Sequence, residues 1–286
     1  MELILSLVTK FIIYSIFLIS LNNLMIGKSG YWAIGHICFF YIGAVVTGIL
    51  SVIYHFSASL IYLTFFIAPL ISSVIAFLLS VSTSRLKGDF FMFISISIAI
   101  LCNVAAEYIA GPSGFSGINR PAGLTSDISI LSVSIVFFIL TIIYVKNFNR
   151  HPLNRIYSLT RTSEKSAMSF GINVLRNNVK IFILSSIIAS ISGILFAFYS
   201  TGTDPQRFSL NEAVILFALS IIGGIDSIKG SIIAAIFYVL VIYLLDSLFS
   251  GVSDIYATKI ASLVFGLILI LAIKYKPNGL FGKRKI

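Results

Sequence analysis

Gly27, Lys28 and Ser29 spell the last three positions of a phosphate-binding loop. In such a loop, backbone N–H groups cradle phosphates and the lysine reaches the terminal ones. The full pattern needs a glycine five residues before Gly27, where Asn22 stands, and a strand upstream, where an apolar run stands. The triplet therefore gives no nucleotide site. The three histidines, His36, His55 and His151, are too scattered for a metal set or an acid–base dyad. Cys38 and Cys102 lie inside apolar runs, with neither metal spacing nor a disulfide framework. Asn103 and Glu107 are four residues apart and so share one helix face. These side chains converge on no covalent chemistry: no catalytic residue, metal site or cofactor site is expected.

The elements that carry these residues are apolar. The chain has 286 residues, 58% hydrophobic and 10% charged, with a mean hydropathy of +1.04. A soluble domain carries about 25% charged residues, so this is an integral membrane protein. A helix needs about 20 apolar residues to cross the hydrocarbon core. Nine runs qualify: 3–25, 31–54, 58–82, 89–110, 128–146, 178–200, 208–225, 230–249 and 258–274. Gly and Ser interrupt the second, seventh and eighth. The expected fold is an all-α polytopic membrane protein of about eight to ten crossings, with one or two broken or re-entrant helices. The first run has an acidic start, Glu2, and no small-residue cleavage site, so it reads as a retained span. Asn22 and Asn23 close it, as caps or as hydrogen-bonding groups between helices.

The net charge of +10 could suggest nucleic acid, but the basic residues sit between spans. The excess of Lys and Arg in cytoplasmic loops explains them better. Residues 146–180 carry Lys146, Arg150, Arg155, Arg161, Lys165, Arg176 and Lys180 against one acid, Glu164. With nine spans, sixteen of the twenty Lys and Arg residues fall on the side of this segment, and the C-terminus is cytoplasmic. Residues 111–127, rich in Gly, Pro and Ser, form a structured turn region on the outer side. Glu107 lies near the outer end of its span. A carboxylate there is either solvated or, with Asn103, lines an outer vestibule. His36, in the Gly-rich entry to the second span, is either a hydrogen-bonded packing residue or a polar group beside a translocation path.

The non-membrane piece 147–177 contains a short helical pattern. Ser163 is the N-cap and Glu164 sits in the first turn, near the positive helix end. Ala167, Met168 and Phe170 give a small apolar face, and Gly171 ends the helix by allowing a left-handed cap. A helix this short is marginal alone in water and needs a partner surface. That surface is either membrane lipid, favoured by the basic flanks, or a cytoplasmic protein.

Several motifs, spread over most of the chain and in order, resemble the membrane permease subunits of branched-chain amino-acid ABC importers. They are Gly35, His36, Phe39 and Phe40 in the early span, the turn from Arg85 to Phe91, and the outer loop from Gly111 to Pro121. The turn from Ile221 to Gly230 and the tail from Lys276 to Gly282 complete the set. The central segment resembles that family's coupling helix, with Glu164, Ala167 and then Gly171 and Ile172. Asp226 and Lys229 depart from the family, which often has a small residue and an aromatic there.

The resemblance implies one permease domain over residues 1–286, with a cytoplasmic coupling loop at 147–177, in the plasma membrane of a prokaryote. It implies two ABC ATPase subunits docked through Glu164, Ala167, Met168, Phe170, Gly171 and Ile172. It also implies a second permease subunit and an extracytoplasmic substrate-binding protein. The implied cargo is a branched-chain or other hydrophobic amino acid, with urea, amides or related small solutes as alternatives. A self-sufficient secondary transporter or channel would need paired charges or unwound polar helices at mid-membrane, and a membrane-embedded enzyme would need convergent acid, base or metal ligands.

Overall fold

The computed structural model describes residues 2–83, 89–205 and 209–248, together with 263, 266, 267, 274 and 279–281. Ten α-helices run through the described residues: α1 (Glu2–Ile19), α2 (Ile37–Gly48), α3 (Thr64–Ser82), α4 (Asp89–Ala110), α5 (Asp127–Arg150), α6 (Leu153–Thr162), α7 (Glu164–Ser169), α8 (Val174–Ser200), α9 (Leu210–Gly223) and α10 (Ile228–Leu248). Two two-residue strands, β1 (Phe115–Ser116) and β2 (Gly202–Thr203), pair antiparallel, with Phe115 opposite Thr203.

Six helical stretches are long and apolar enough to cross a membrane: Glu2–Ser29, Ile34–Ile53, Leu60–Ser82, Phe90–Ala110, Asp127–Arg150 and Val174–Ser200. Two shorter apolar helices follow, at Leu210–Gly223 and Ile228–Leu244. These eight match the first eight expected spans. Most of the ninth, at 258–274, and residues 85–88 of the expected turn from Arg85 to Phe91 lie outside the described residues. The all-α polytopic expectation holds. Broken or re-entrant helices are expected at the second, seventh or eighth run; the irregularity seen is a change of helix type in the first and second crossings. The first crossing widens into a π-helix over Ser20–Ser29, and the second opens on a 3₁₀ turn at Ile34–His36 and closes on a π-turn at Ile49–Ile53. At 14 residues α9 reaches only about 21 Å, short of a hydrocarbon core of about 30 Å.

Small residues let the central helices touch. A Cβ on Gly43 would collide with the carbonyl of Ser190, and one on Gly193 with that of Phe40, so α2 and α8 meet backbone to backbone. Gly223 and Gly230 meet in the same way where α9 turns into α10. Around these contacts Tyr14 stacks on Phe40 with ring centroids 5.9 Å apart and meets Tyr238 edge-on at 4.6 Å. The outer helices differ. Phe93, Leu101 and Val104 on α4, and Ile128, Val136 and Leu140 on α5, are exposed apolar side chains. Such faces fit lipid or another membrane subunit rather than water.

The connections sort onto two ends. At one, Arg120 fastens the Gly-rich loop: its guanidinium donates to the carbonyls of Phe198, Tyr199 and Thr125 at 3.2, 3.3 and 2.8 Å and pairs with Asp127 at 2.7 Å. Four glycines of that loop (111, 114, 117 and 123) have positive φ, so the segment is a structured turn region, as expected. The other end gathers the π-helical stretch, α6, α7 and the α9–α10 turn, and with them most of the described Lys and Arg residues.

Candidate functional site

The basic end is built on two helices between α5 and α8. The chain turns at His151 and Pro152 into α6, which packs Tyr157 against Phe148 with ring centroids 5.2 Å apart. Tyr157 joins Val145, Ile19, Leu24 and Ile181 in a small buried cluster. The sequence reading missed α6, and the signal was present: Ile156, Tyr157 and Thr160 repeat at helical spacing. The spans on either side also run longer than expected, α5 to Arg150 and α8 from Val174.

α7 follows at once. The Ser163 hydroxyl accepts from the Ser166 N–H at 3.2 Å, and Glu164 lies in the first turn. Gly171 takes φ +75°, and the Ile172 N–H returns to the Ala167 carbonyl at 3.1 Å, which satisfies the last turn. The three apolar residues do not share a face. Ala167 is fully buried toward the protein, whereas Met168 and Phe170 are 57% and 76% exposed. Gly171 is exposed with nothing near its Cα, and Ile172 is half-buried. The result is a rigidly seated knob that holds apolar side chains away from the molecule.

Behind the knob lies a polar network that sequence reasoning did not assemble. The Lys28 ammonium, 2% exposed, donates to both carboxylate oxygens of Asp226 at 2.9 and 3.0 Å. The Asn22 amide donates to the Gly224 carbonyl and the Ser231 hydroxyl, both at 3.0 Å, and its oxygen accepts from the Asp226 N–H at 3.1 Å. Asn23 also meets Ser231, at 3.2 Å. Asn22 and Asn23 thus bond between helices rather than capping their own. From α6, Arg161 donates to the Gly27 carbonyl at 3.1 Å, and its stem packs on Gly30. Burial lowers the pKa of the Arg161 guanidinium, and the nearby Asp226 carboxylate opposes that shift. Asn178 donates to the Tyr31 hydroxyl at 3.3 Å. Burial, then the charge of Glu164, raises the pKa of Tyr31. The Leu280 and Phe281 N–H groups close the α9 carbonyls of Ile222 and Gly223 at 2.8 and 3.1 Å.

The three pathway candidates are not brought together. His36 is buried at the basic end, with Nε2 3.2 Å from the Ser20 hydroxyl and the rings of Phe17 and Phe39 at 5.8 and 5.4 Å. It lines a small, mostly apolar cavity with Met25, Phe91 and Ser95. Asn103 and Glu107 lie further along α4, about 12 and 18 Å respectively along the axis from Ser95. The Asn103 amide donates to the Pro205 carbonyl at 2.8 Å, and Glu107 is exposed. No cluster of three His, Cys, Asp or Glu that could hold a metal exists among the described residues.

A bundle of apolar crossings joined by hydrogen-bonded turns, with one knobbed two-helix segment at its basic end, defines a polytopic membrane protein. The chain belongs to the family of branched-chain amino acid transport system permease components, whose family model matches residues 3–273. It is 25% identical over 289 residues to the high-affinity branched-chain amino acid transport system permease protein LivM of Escherichia coli, covering 90% of this chain and 65% of that protein. It is 23% identical over 242 residues to the probable branched-chain amino acid transport permease protein LivM of Methanocaldococcus jannaschii, covering 79% and 70%. A shorter stretch of 120 residues is 29% identical to the L-arabinose transport system permease protein AraH of Escherichia coli, covering 41% and 36%. The chain thus spans about two thirds of the length of the LivM proteins it matches. No solved structure is a significant match.

Proposed function

We propose that this chain is the transmembrane permease subunit of a binding-protein-dependent ABC importer. It moves branched-chain or other hydrophobic amino acids into the cell, and ATP is hydrolysed on a partner subunit. The observation that carries this reading is α7: a capped one-turn helix that buries Ala167 and presents Met168 and Phe170 outward. Exposed apolar side chains on a rigid, basic surface suit capture by a soluble partner. The excess of Lys and Arg supports a cytoplasmic position for that end and for the C-terminus, where ATPase subunits would dock. The exposed apolar faces of α4 and α5 leave room for lipid and a second permease. The opposite end, tied down by Arg120, would receive the binding protein, and Asn103 and Glu107 would line the entry there. The names of the LivM relatives support the cargo class.

The test is purification of the chain from its native membrane in mild detergent. An ATPase and a second, related permease should come with it, and the reconstituted complex should take up labelled leucine, isoleucine or valine when its binding protein and ATP are supplied. Recovery of the chain alone, from a complex shown to survive the detergent, would favour a self-sufficient transporter or channel. Uptake of urea or amides but not of these amino acids would change the cargo and keep the class.

A further inference from the structure

We infer that Arg161, Lys28 and Asp226 form the transmission through which the α6–α7 segment acts on the membrane helices. The inference rests on the importer reading above and adds to it the residues that carry the motion.

The geometry is a chain of grips. Arg161 stands in the last turn of α6, two residues before Ser163, the N-cap of α7, so a displacement of the knob is felt at Arg161. Its guanidinium holds the Gly27 carbonyl at 3.1 Å, and its stem lies against Gly30. The next residue, Lys28, holds the Asp226 carboxylate. Asp226 Oδ1 lies so near Gly27 that a Cβ there would meet it at 3.1 Å. Asn22 and Asn23 then fix Gly224, Asp226 and Ser231 to the same stretch of the first crossing. Residues 20–29 and the α9–α10 turn are therefore one hydrogen-bonded body; Arg161 ties it to α6 by a hydrogen bond, beside the apolar packing of Tyr157 on Leu24.

Two features suit this body to movement rather than to stability alone. The first is its backbone: residues 20–29 are π-helical, a rare geometry that recurs at functional sites. The second is the ion pair. A buried pair is weak evidence of stabilisation, because desolvation offsets the attraction. Here Lys28 is enclosed while Asp226 is about a third exposed, so the pair can open to water from one side. Asp226 has φ +62°, the left-handed region that Asp enters more readily than most residues, and its N–H is held there by the Asn22 side chain.

The test uses the whole importer in proteoliposomes, with substrate transported per ATP hydrolysed as the readout. Asp226→Asn and Arg161→Gln should assemble with the ATPase as the natural chain does and still hydrolyse ATP. Transport per ATP should fall about five- to tenfold, the scale of a typical coupling free energy. The double exchange Lys28→Asp with Asp226→Lys should recover most of the loss. A natural ratio in both single variants would overturn the inference. So would a loss of assembled complex in which the surviving fraction keeps the natural ratio, since that marks a structural role only. If the natural chain carries no ATPase, the importer reading fails first. Labelling of Lys28 in the isolated chain by a water-soluble amine reagent then decides: Asp226→Asn should raise it severalfold, and equal labelling would sink the latch.

Discussion

Gly43 on α2 and Ser190 on α8 touch backbone to backbone, and three residues further along α8 Gly193 meets the Phe40 carbonyl in the same way. The obstacle to a larger residue at either glycine is main chain, which cannot rotate aside. Gly43→Val or Gly193→Val should therefore exceed the usual overpacking cost of about 1–3 kcal/mol. Thermal unfolding in detergent measures this, and a melting curve like that of the natural chain would refute the contact.

Gly171 combines φ +75° with open space. Gly171→Asn should be nearly neutral, because Asn adopts the left-handed region, whereas Gly171→Val should cost about 1–2 kcal/mol. Gly171→Arg should insert into the membrane normally but block uptake and loosen the ATPase. Normal uptake by that variant would count against the docking role of α7.

The split of α7 into buried and exposed residues gives a contrast. Phe170→Asp and Met168→Asp should leave the stability of the isolated chain within about 0.5 kcal/mol, as surface changes do, while recovery of the ATPase falls sharply. Ala167→Leu should instead unseat α7 by filling a site with no room. A pull-down paired with a melting curve separates the two. ATPase recovery from Phe170→Asp and Met168→Asp equal to that of the natural chain would reject the assignment.

At the opposite end, Glu107→Gln should reduce uptake severalfold with the chain intact, because Glu107 is exposed one helical turn beyond Asn103. Asn103→Ala should lose about 1 kcal/mol with its bond to Pro205. Initial-rate uptake against substrate concentration is the measurement. Kinetics unchanged by Glu107→Gln would remove that residue from the pathway.

Arg120→Met removes a cation that holds three carbonyls and Asp127. A hydrogen bond to a charged group contributes about 1.5–3 kcal/mol. The loop over residues 111–126 should therefore become cleavable by a soluble protease that leaves the natural chain uncut there.

The local features of the fold were legible in the sequence. Run lengths place the crossings because each helix must satisfy its own backbone inside lipid, which makes apolar length a direct signal. The clustering of Lys and Arg marks one end for the same kind of local reason. Ser163 and Gly171 could be read as cap and stop because each acts on backbone within a few residues. The inward turn of Ala167, away from Met168 and Phe170, could not, since a six-residue helix carries too little periodicity to say which side packs. The pairing of Lys28 with Asp226 crosses 198 positions. In the sequence Lys28 looked like a fragment of a nucleotide loop and Asp226 like a departure from the family. Only the tertiary structure, by closing α9 and α10 against the end of the first crossing, makes one the counter-charge of the other. A lysine enclosed at that depth needs an acid within reach, and nothing in its sequence neighbourhood supplies one.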